Sequence, residues 1–154
     1  MKLLFRQRVF SWLDSYDIYD ETGNAVYTVE GKLGWGHCLH VLDRFGGHIA
    51  TLKERVPTLL PKFDIYEGDR LVGTVYKEFT FFQPRFRLDF NGWEVEGDFL
   101  GWEYAITCGG RKVAQVSKEL FHWSDTYGID VADPGDVLCA LLVVLAIDAE
   151  KCGN

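Results

Sequence analysis

The stretch "DPGDVLCALLVVLAIDAEKCGN", Asp133 to Asn154, decides how the rest of the chain is read. From Val137 to Ile147 it holds eleven apolar residues without a break. Asp133 or Asp136 offers an N-cap, Pro134 suits a first helical turn, and Lys151 and Gly153 suit the end, so the segment predicts a helix. A helix that is apolar on all sides belongs in a core or in a membrane. Length separates the two. Eleven residues at about 1.5 Å each reach about 16–17 Å, against a hydrocarbon layer of about 30 Å, and a run of this length reads as a core helix. Burying its side chains contributes on the order of 10 kcal/mol before chain entropy is subtracted.

No second helix with a matching apolar stripe stands elsewhere in the sequence, so strands must supply the whole surround. A sheet wrapped round a fully apolar helix is a closed barrel. Composition agrees. Aromatics are 15% of the 154 residues, with sixteen glycines and four prolines, which favours strands joined by tight turns. The stretches "YDIYDETGNAVYTVEGKL", "LHVLDRFGGHIATLKERV", "FDIYEGDRLVGTVYKEF" and "YAITCGGRKVAQVSKEL" each place a polar or glycine turn between two apolar-rich strands. The turn residues Asp20, Asp43 and Glu67 of the first three stretches, with Asn91 of the next hairpin, recur every 23 or 24 positions, which reads as a meander of hairpins. "VPTLLP" reads as an extended connection, because Pro57 and Pro61 exclude a regular central strand.

One hairpin can be set out in register. Asn91-Gly92 suits a type I′ turn, which needs positive φ at both central residues. A two-residue loop then sets Phe90 against Trp93, Leu88 against Val95 and Phe86 against Gly97. On the other face Arg87 meets Glu96, Arg85 meets Asp98, and Asp89 meets Glu94 as a like-charge mismatch. The same logic at Gly109-Gly110 sets Ile106 against Val113.

The chain carries a net charge of −7. This disfavours nonspecific binding to nucleic acid or to anionic membranes, since both need a surplus of Lys and Arg, and leaves room only for a local basic patch. The start "MKLLFRQRVF" lacks the apolar run of a signal peptide. Cys38, Cys108, Cys139 and Cys152 lie far apart without CxxC spacing and read as reduced thiols, with Cys139 a small core residue. Together these predict one cytoplasmic domain over residues 1–154, with peripheral contact with a membrane left open.

Four groups of residues invite a chemical reading. His37, Cys38, His40 and Asp43 contain metal-ligand types, but His37 and His40 on one strand point to opposite faces, so no metal is expected. Glu94, Glu96 and Asp98 put three carboxylates on one strand face with arginines opposite, which is a salt-bridged surface and not a flanked cleft. His122, Ser124 and Asp125 are triad types, but adjacency in sequence does not make triad geometry, and Asp125 reads as an acceptor at the last turn. "GGRK" at Gly109 is a turn, not a phosphate loop. No catalytic residue and no cofactor is expected. The candidate ligand-binding cations are Arg6 and Arg8, on one strand face, and Lys53, Arg55 and Lys62, which flank the proline-bounded connection. Trp35, Trp102 and Trp123 are candidates to line a ligand or partner surface, or else to fill the barrel wall and its ends.

The ending "DTYGIDVADPGDVLCALLVVLAID" resembles the close of the LURP-one-related family, in which a D-x-Y-x-[IV] strand leads through an acidic turn into an apolar helix ending in AID. "VEGKL", "IATLKE", "WEVEGDFL" and "KVAQVSKE" are similar to that family's other segments, and the resemblance runs from Leu3 to Asp148. It implies the tubby-like fold, an antiparallel barrel of about twelve strands round a hydrophobic C-terminal helix, with phospholipid scramblases as further relatives. It implies no enzymatic activity. Tubby proteins hold phosphoinositide head groups on the outer wall through Lys and Arg of neighbouring strands, and no local motif here matches that site. The metal-binding and acylated segments of the scramblases are likewise not found. The expected function is therefore a non-enzymatic module that binds a phospholipid head group or a protein partner on the outer barrel surface. The alternatives are an enzyme at the barrel rim and a scramblase-like, membrane-associated protein.

Overall fold

The computed structural model describes residues 1–6, 15–78, 85–99, 101–119 and 126–152; of Arg6, Lys151 and Cys152 only the backbone is described. Twelve strands are present among these residues: β1 Lys2–Arg6, β2 Ser15–Asp20, β3 Ala25–Lys32, β4 Cys38–Asp43, β5 His48–Glu54, β6 Lys62–Glu67, β7 Arg70–Glu78, β8 Arg85–Leu88, β9 Trp93–Asp98, β10 Glu103–Cys108, β11 Arg111–Lys118 and β12 Thr126–Val131. Each pairs antiparallel with the next, and β1 pairs with β12, so the meander closes into a barrel with no free edge. A 3₁₀ turn, Pro134–Asp136, leads into the helix α1, Val137–Cys152. Asp133 caps the turn, its carboxylate accepting the Gly135 N–H at 2.8 Å.

Helix α1 is longer than the apolar run that announces it. Its 16 residues span about 24 Å. Ala140, Leu141, Leu142, Val143, Val144, Ala146 and Ile147 are all fully buried. Inward-pointing strand residues surround them: Leu3, Ile18, Val29, Leu39, Val41, Leu52, Ile65, Val75, Ile106, Val116 and Ile129. Along β8 Phe86 and Leu88 are buried while Arg85 and Arg87 are open, the period of two that a one-sided strand requires. With these inward residues contributed from round the closed barrel and the helix buried on all sides, the helix lies inside the barrel, along its axis.

Two of the turns at the end where α1 begins share a device. Asp20 Oδ1 accepts the N–H of Thr22 at 2.9 Å and of Asn24 at 3.0 Å; Asp43 Oδ1 accepts those of Phe45 and Gly47, both at 2.9 Å. A short acidic side chain thus caps its own backbone two and four residues on, which is why aspartate recurs at these positions.

Two registers differ from the sequence expectation. Asn91 and Gly92 do have positive φ, 57° and 65°, and the Trp93 N–H reaches Phe90 O, so the tight turn forms as expected. Beyond it the pairing slips by two, and Arg87 sits opposite Glu94 instead of Glu96. The cause is Asp89. Its carboxylate turns to β7 and accepts the Thr74 N–H at 2.7 Å and the Tyr76 hydroxyl at 2.9 Å. The expected Asp89–Glu94 repulsion is thereby avoided. Phe90 meanwhile packs on Gly73, where a Cβ would come within 2.2 Å of its ring. A slip of two keeps each side chain on its face, so Phe86, Leu88, Trp93 and Val95 remain buried. Arg87 meets Glu78 of β7 at 3.6 Å, and Arg85 stands opposite Glu78, so neither arginine is held by Glu96 or Asp98. In the second hairpin Gly109 and Gly110 form the turn between Cys108 and Arg111, but a bulge places Ile106 against Ala114. The bulge lets Val113 and Ala114 both be buried.

Candidate functional site

With α1 filling the axis, a site must lie on the wall or at the ends. The most developed polar constellation is outside, on β6 and β7. Asp64 and Thr74 point away from the axis, yet both are buried, because the connection Arg55–Pro61 and Asp89 cover them. Asp64 Oδ1 accepts the Thr74 hydroxyl at 2.8 Å and Arg55 Nη2 at 2.7 Å, and Asp64 Oδ2 accepts Arg55 Nε at 3.3 Å. These bonds, before the charge itself, raise the Arg55 pKa. The Tyr76 hydroxyl pKa is raised chiefly by the bond it donates to Asp89. Lys62 Nζ stands 5.5 Å from the centroid of the Tyr76 ring.

The candidate cations therefore fare differently. Arg55 is committed to Asp64. Lys53, on β5, is exposed, and among the described residues no carboxylate lies within ion-pair distance of Lys53 or Lys62. Arg6 lies in β1 opposite Thr126, with only its backbone described, and Arg8 is outside the described residues. The structure thus brings Lys53, Arg55 and Lys62 to one end of β5 and β6 and does not join them to Arg6.

The other candidates separate. His37 precedes β4: its N–H and Nδ1 both meet Glu54 Oε2, at 2.9 and 2.7 Å. His40 instead stacks on His48, ring centroids 4.0 Å apart. The two histidines part because they serve different neighbours, one being in a loop, and not through strand alternation. Burial, then the neighbouring His48 charge, lowers the His40 pKa. Burial raises the Cys38 thiol, and pushes Cys139 up to about 12, so neither is an activated nucleophile. Glu94, Glu96 and Asp98 are exposed on β9. His122, Ser124, Asp125 and Trp123 lie outside the described residues. Trp102 is a core residue, stacked on Tyr127 at 4.1 Å, while Trp35 is open to solvent.

Sequence reasoning missed two things here. One is the buried Asp64–Thr74 pair, since an outward strand position reads as solvated until the covering loop is known. The other is the exposure of Leu33 and Leu59. The signal for these was available: leucines inside "KLGWGH" and "VPTLLP" stand where glycine and proline prevent a buried strand.

No helix of the described residues is long and apolar enough to cross a membrane. The chain is 30% identical over 149 residues to the uncharacterized protein YxjI of Bacillus subtilis (strain 168), covering 96% of this chain and 92% of that protein. It superposes on an X-ray structure of a protein from Arabidopsis thaliana with a TM-score of 0.68, over 97% of this chain and 91% of the other. At 18% identity that likeness establishes the fold alone. The sequence profile of the LURP-one-related family matches residues 1–148, and the chain belongs to that family.

Proposed function

We propose that this chain works as one non-enzymatic binding domain, taking an anionic phospholipid head group against the outer surface of the barrel near Lys53 and Lys62. The observation that carries this reading is the filled interior. The residues of α1 from Ala140 to Ile147 are at most 1% exposed, so among the described residues the helix occupies the interior that a lipocalin leaves for its ligand. Binding then falls to the exterior, where two lysines on neighbouring strands supply amines that no carboxylate of the described residues holds. A lysine is a compact charge suited to a phosphate. With a net charge of −7, attraction to an anionic bilayer must come from a local group of cations and not from the surface as a whole. A cytoplasmic protein would meet the membrane this way from its inner face, peripherally.

Vesicle flotation at low salt, with and without phosphoinositide, tests the reading. The wild-type chain is expected to float with charged vesicles and to be released by added salt. The double variant Lys53→Glu, Lys62→Glu should stay in solution. A wild-type chain that never floats would remove the lipid ligand and leave a protein partner on the same outer surface.

A further inference from the structure

Among the described residues, the turns at one end of the barrel differ in chemistry from two loops at the other. At the end where α1 begins, the described turns read Asp20–Asn24, Asp43–Gly47, Glu67–Arg70, Asp89–Gly92, Gly109–Gly110 and Asp133–Asp136, and all but the Gly109–Gly110 turn carry an acidic residue. At the other end, the β3–β4 loop reads Leu33-Gly34-Trp35-Gly36 and the β5–β6 loop reads Arg55-Val56-Pro57-Thr58-Leu59-Leu60-Pro61. Neither contains an acidic residue. Leu33 is 86% exposed, Trp35 90% and Leu59 100%, with Val56 at 40%.

These loops belong to one surface. A Cβ on Gly36 would lie 3.0 Å from Val56 Cγ1 and 3.3 Å from Glu54 Cβ, so the backbone of the first loop rests on the root of the second. Glycine is required there for that approach and for its φ of 79°. The His37–Glu54 contacts hold the same junction. The carboxylates at the roots are occupied: Glu30 by Lys32 at 2.9 Å, Glu54 by His37, Asp64 by Arg55. Lys53 and Lys62 stand at the base of the second loop.

From this geometry we infer that the protein meets a bilayer end-on, inserting Leu33, Trp35 and Leu59 among the lipids while Lys53 and Lys62 face the anionic head groups. The inference rests on the head-group reading above and adds a second, apolar part to it. Side chains with almost no protein contact offer no groove or flat face for a protein to fit. Single apolar side chains on convex tips suit a fluid surface that closes round each one. Tryptophan prefers the interface between head group and hydrocarbon, and basic residues beside an apolar tip add attraction to anionic lipid. Phe45 and Leu71 are also exposed, at the opposite end, but the cations beside them, Arg44 and Arg70, share their turns with Asp43, Glu67 and Asp69, and Arg70 is paired with Glu67 at 3.4 Å, so these turns lack the surplus of positive charge that Lys53 and Lys62 supply.

The test is flotation of the full chain on phosphatidylcholine vesicles with about 30 mol % phosphatidylserine, and on phosphatidylcholine alone. The variant Leu33→Ser, Trp35→Ser, Leu59→Ser removes only exposed groups, and its thermal melt by circular dichroism should match the wild type. It is expected to bind the charged vesicles at least about tenfold more weakly. Quenching by brominated lipid reads the same contact without that variant: the wild type should be quenched and Trp35→Phe should lose most of the effect. Equal flotation of variant and wild type, or quenching unchanged in Trp35→Phe, overturns end-on insertion and leaves the head-group reading standing. A wild-type chain that floats on neither vesicle overturns both.

Discussion

Arg55 clasps Asp64 at two points, Nη2 to Oδ1 at 2.7 Å and Nε to Oδ2 at 3.3 Å, across the mouth of the connection between β5 and β6. The Asp64 carboxylate also accepts the Thr74 hydroxyl. Replacing Asp64 by Ala leaves that buried hydroxyl without its acceptor and releases the loop root. The expected loss is about 1–3 kcal/mol, read from the urea midpoint. Arg55→Ala should cost less, since the guanidinium is on the open side and water replaces it. Equal stability of wild type and Asp64→Ala would show that the clasp is a surface ornament.

Leu142 lies at the middle of α1, fully buried by the barrel. Leu142→Ala should cost about 2–5 kcal/mol, a transfer loss plus a cavity on the axis. Leu142→Asp places an unpaired charge there and should abolish the cooperative melt. A Leu142→Asp chain that melts cooperatively near the wild-type temperature would mean that the helix is not the core of this protein.

His40 stacks on His48, and burial together with that neighbour lowers its pKa in the folded state. The unfolded chain therefore binds the proton more readily than the folded one. The stability tied to His40 is complete above its ordinary value of about 6.5 and is lost as pH falls through that value towards the lowered one. His40→Gln should flatten the fall in melting temperature between about pH 7 and pH 5. An unchanged slope in the variant would assign the acid sensitivity to other groups.

Much of the architecture can be read directly from the chain. The Val137–Ile147 run is too short to span a bilayer and too apolar for a surface, and the hairpin-forming segments before it are the only material that can enclose it. Both statements depend on composition and period, which are local and one-dimensional. The turns were equally legible, because Asn91-Gly92 and Gly109-Gly110 need positive φ, and they have it.

The site was less legible. Arg87 stands opposite Glu94 in register and meets Glu78 because Asp89, two residues on, finds hydrogen bonds on the neighbouring strand β7, and the hairpin sequence alone contains no record of β7. Lys53, Arg55 and Lys62 look equivalent as a basic cluster until Asp64 withdraws Arg55. Leu33, Trp35 and Leu59 lie up to 26 positions apart in sequence and share one end only because neighbouring hairpins stand side by side. The sequence by itself determined the barrel, the axial helix and the tight turns, since burial period, run length and backbone dihedrals act within a few residues. Tertiary structure alone decided which charges are spent on each other and which apolar tips face outward together, since those depend on what the neighbouring strand presents.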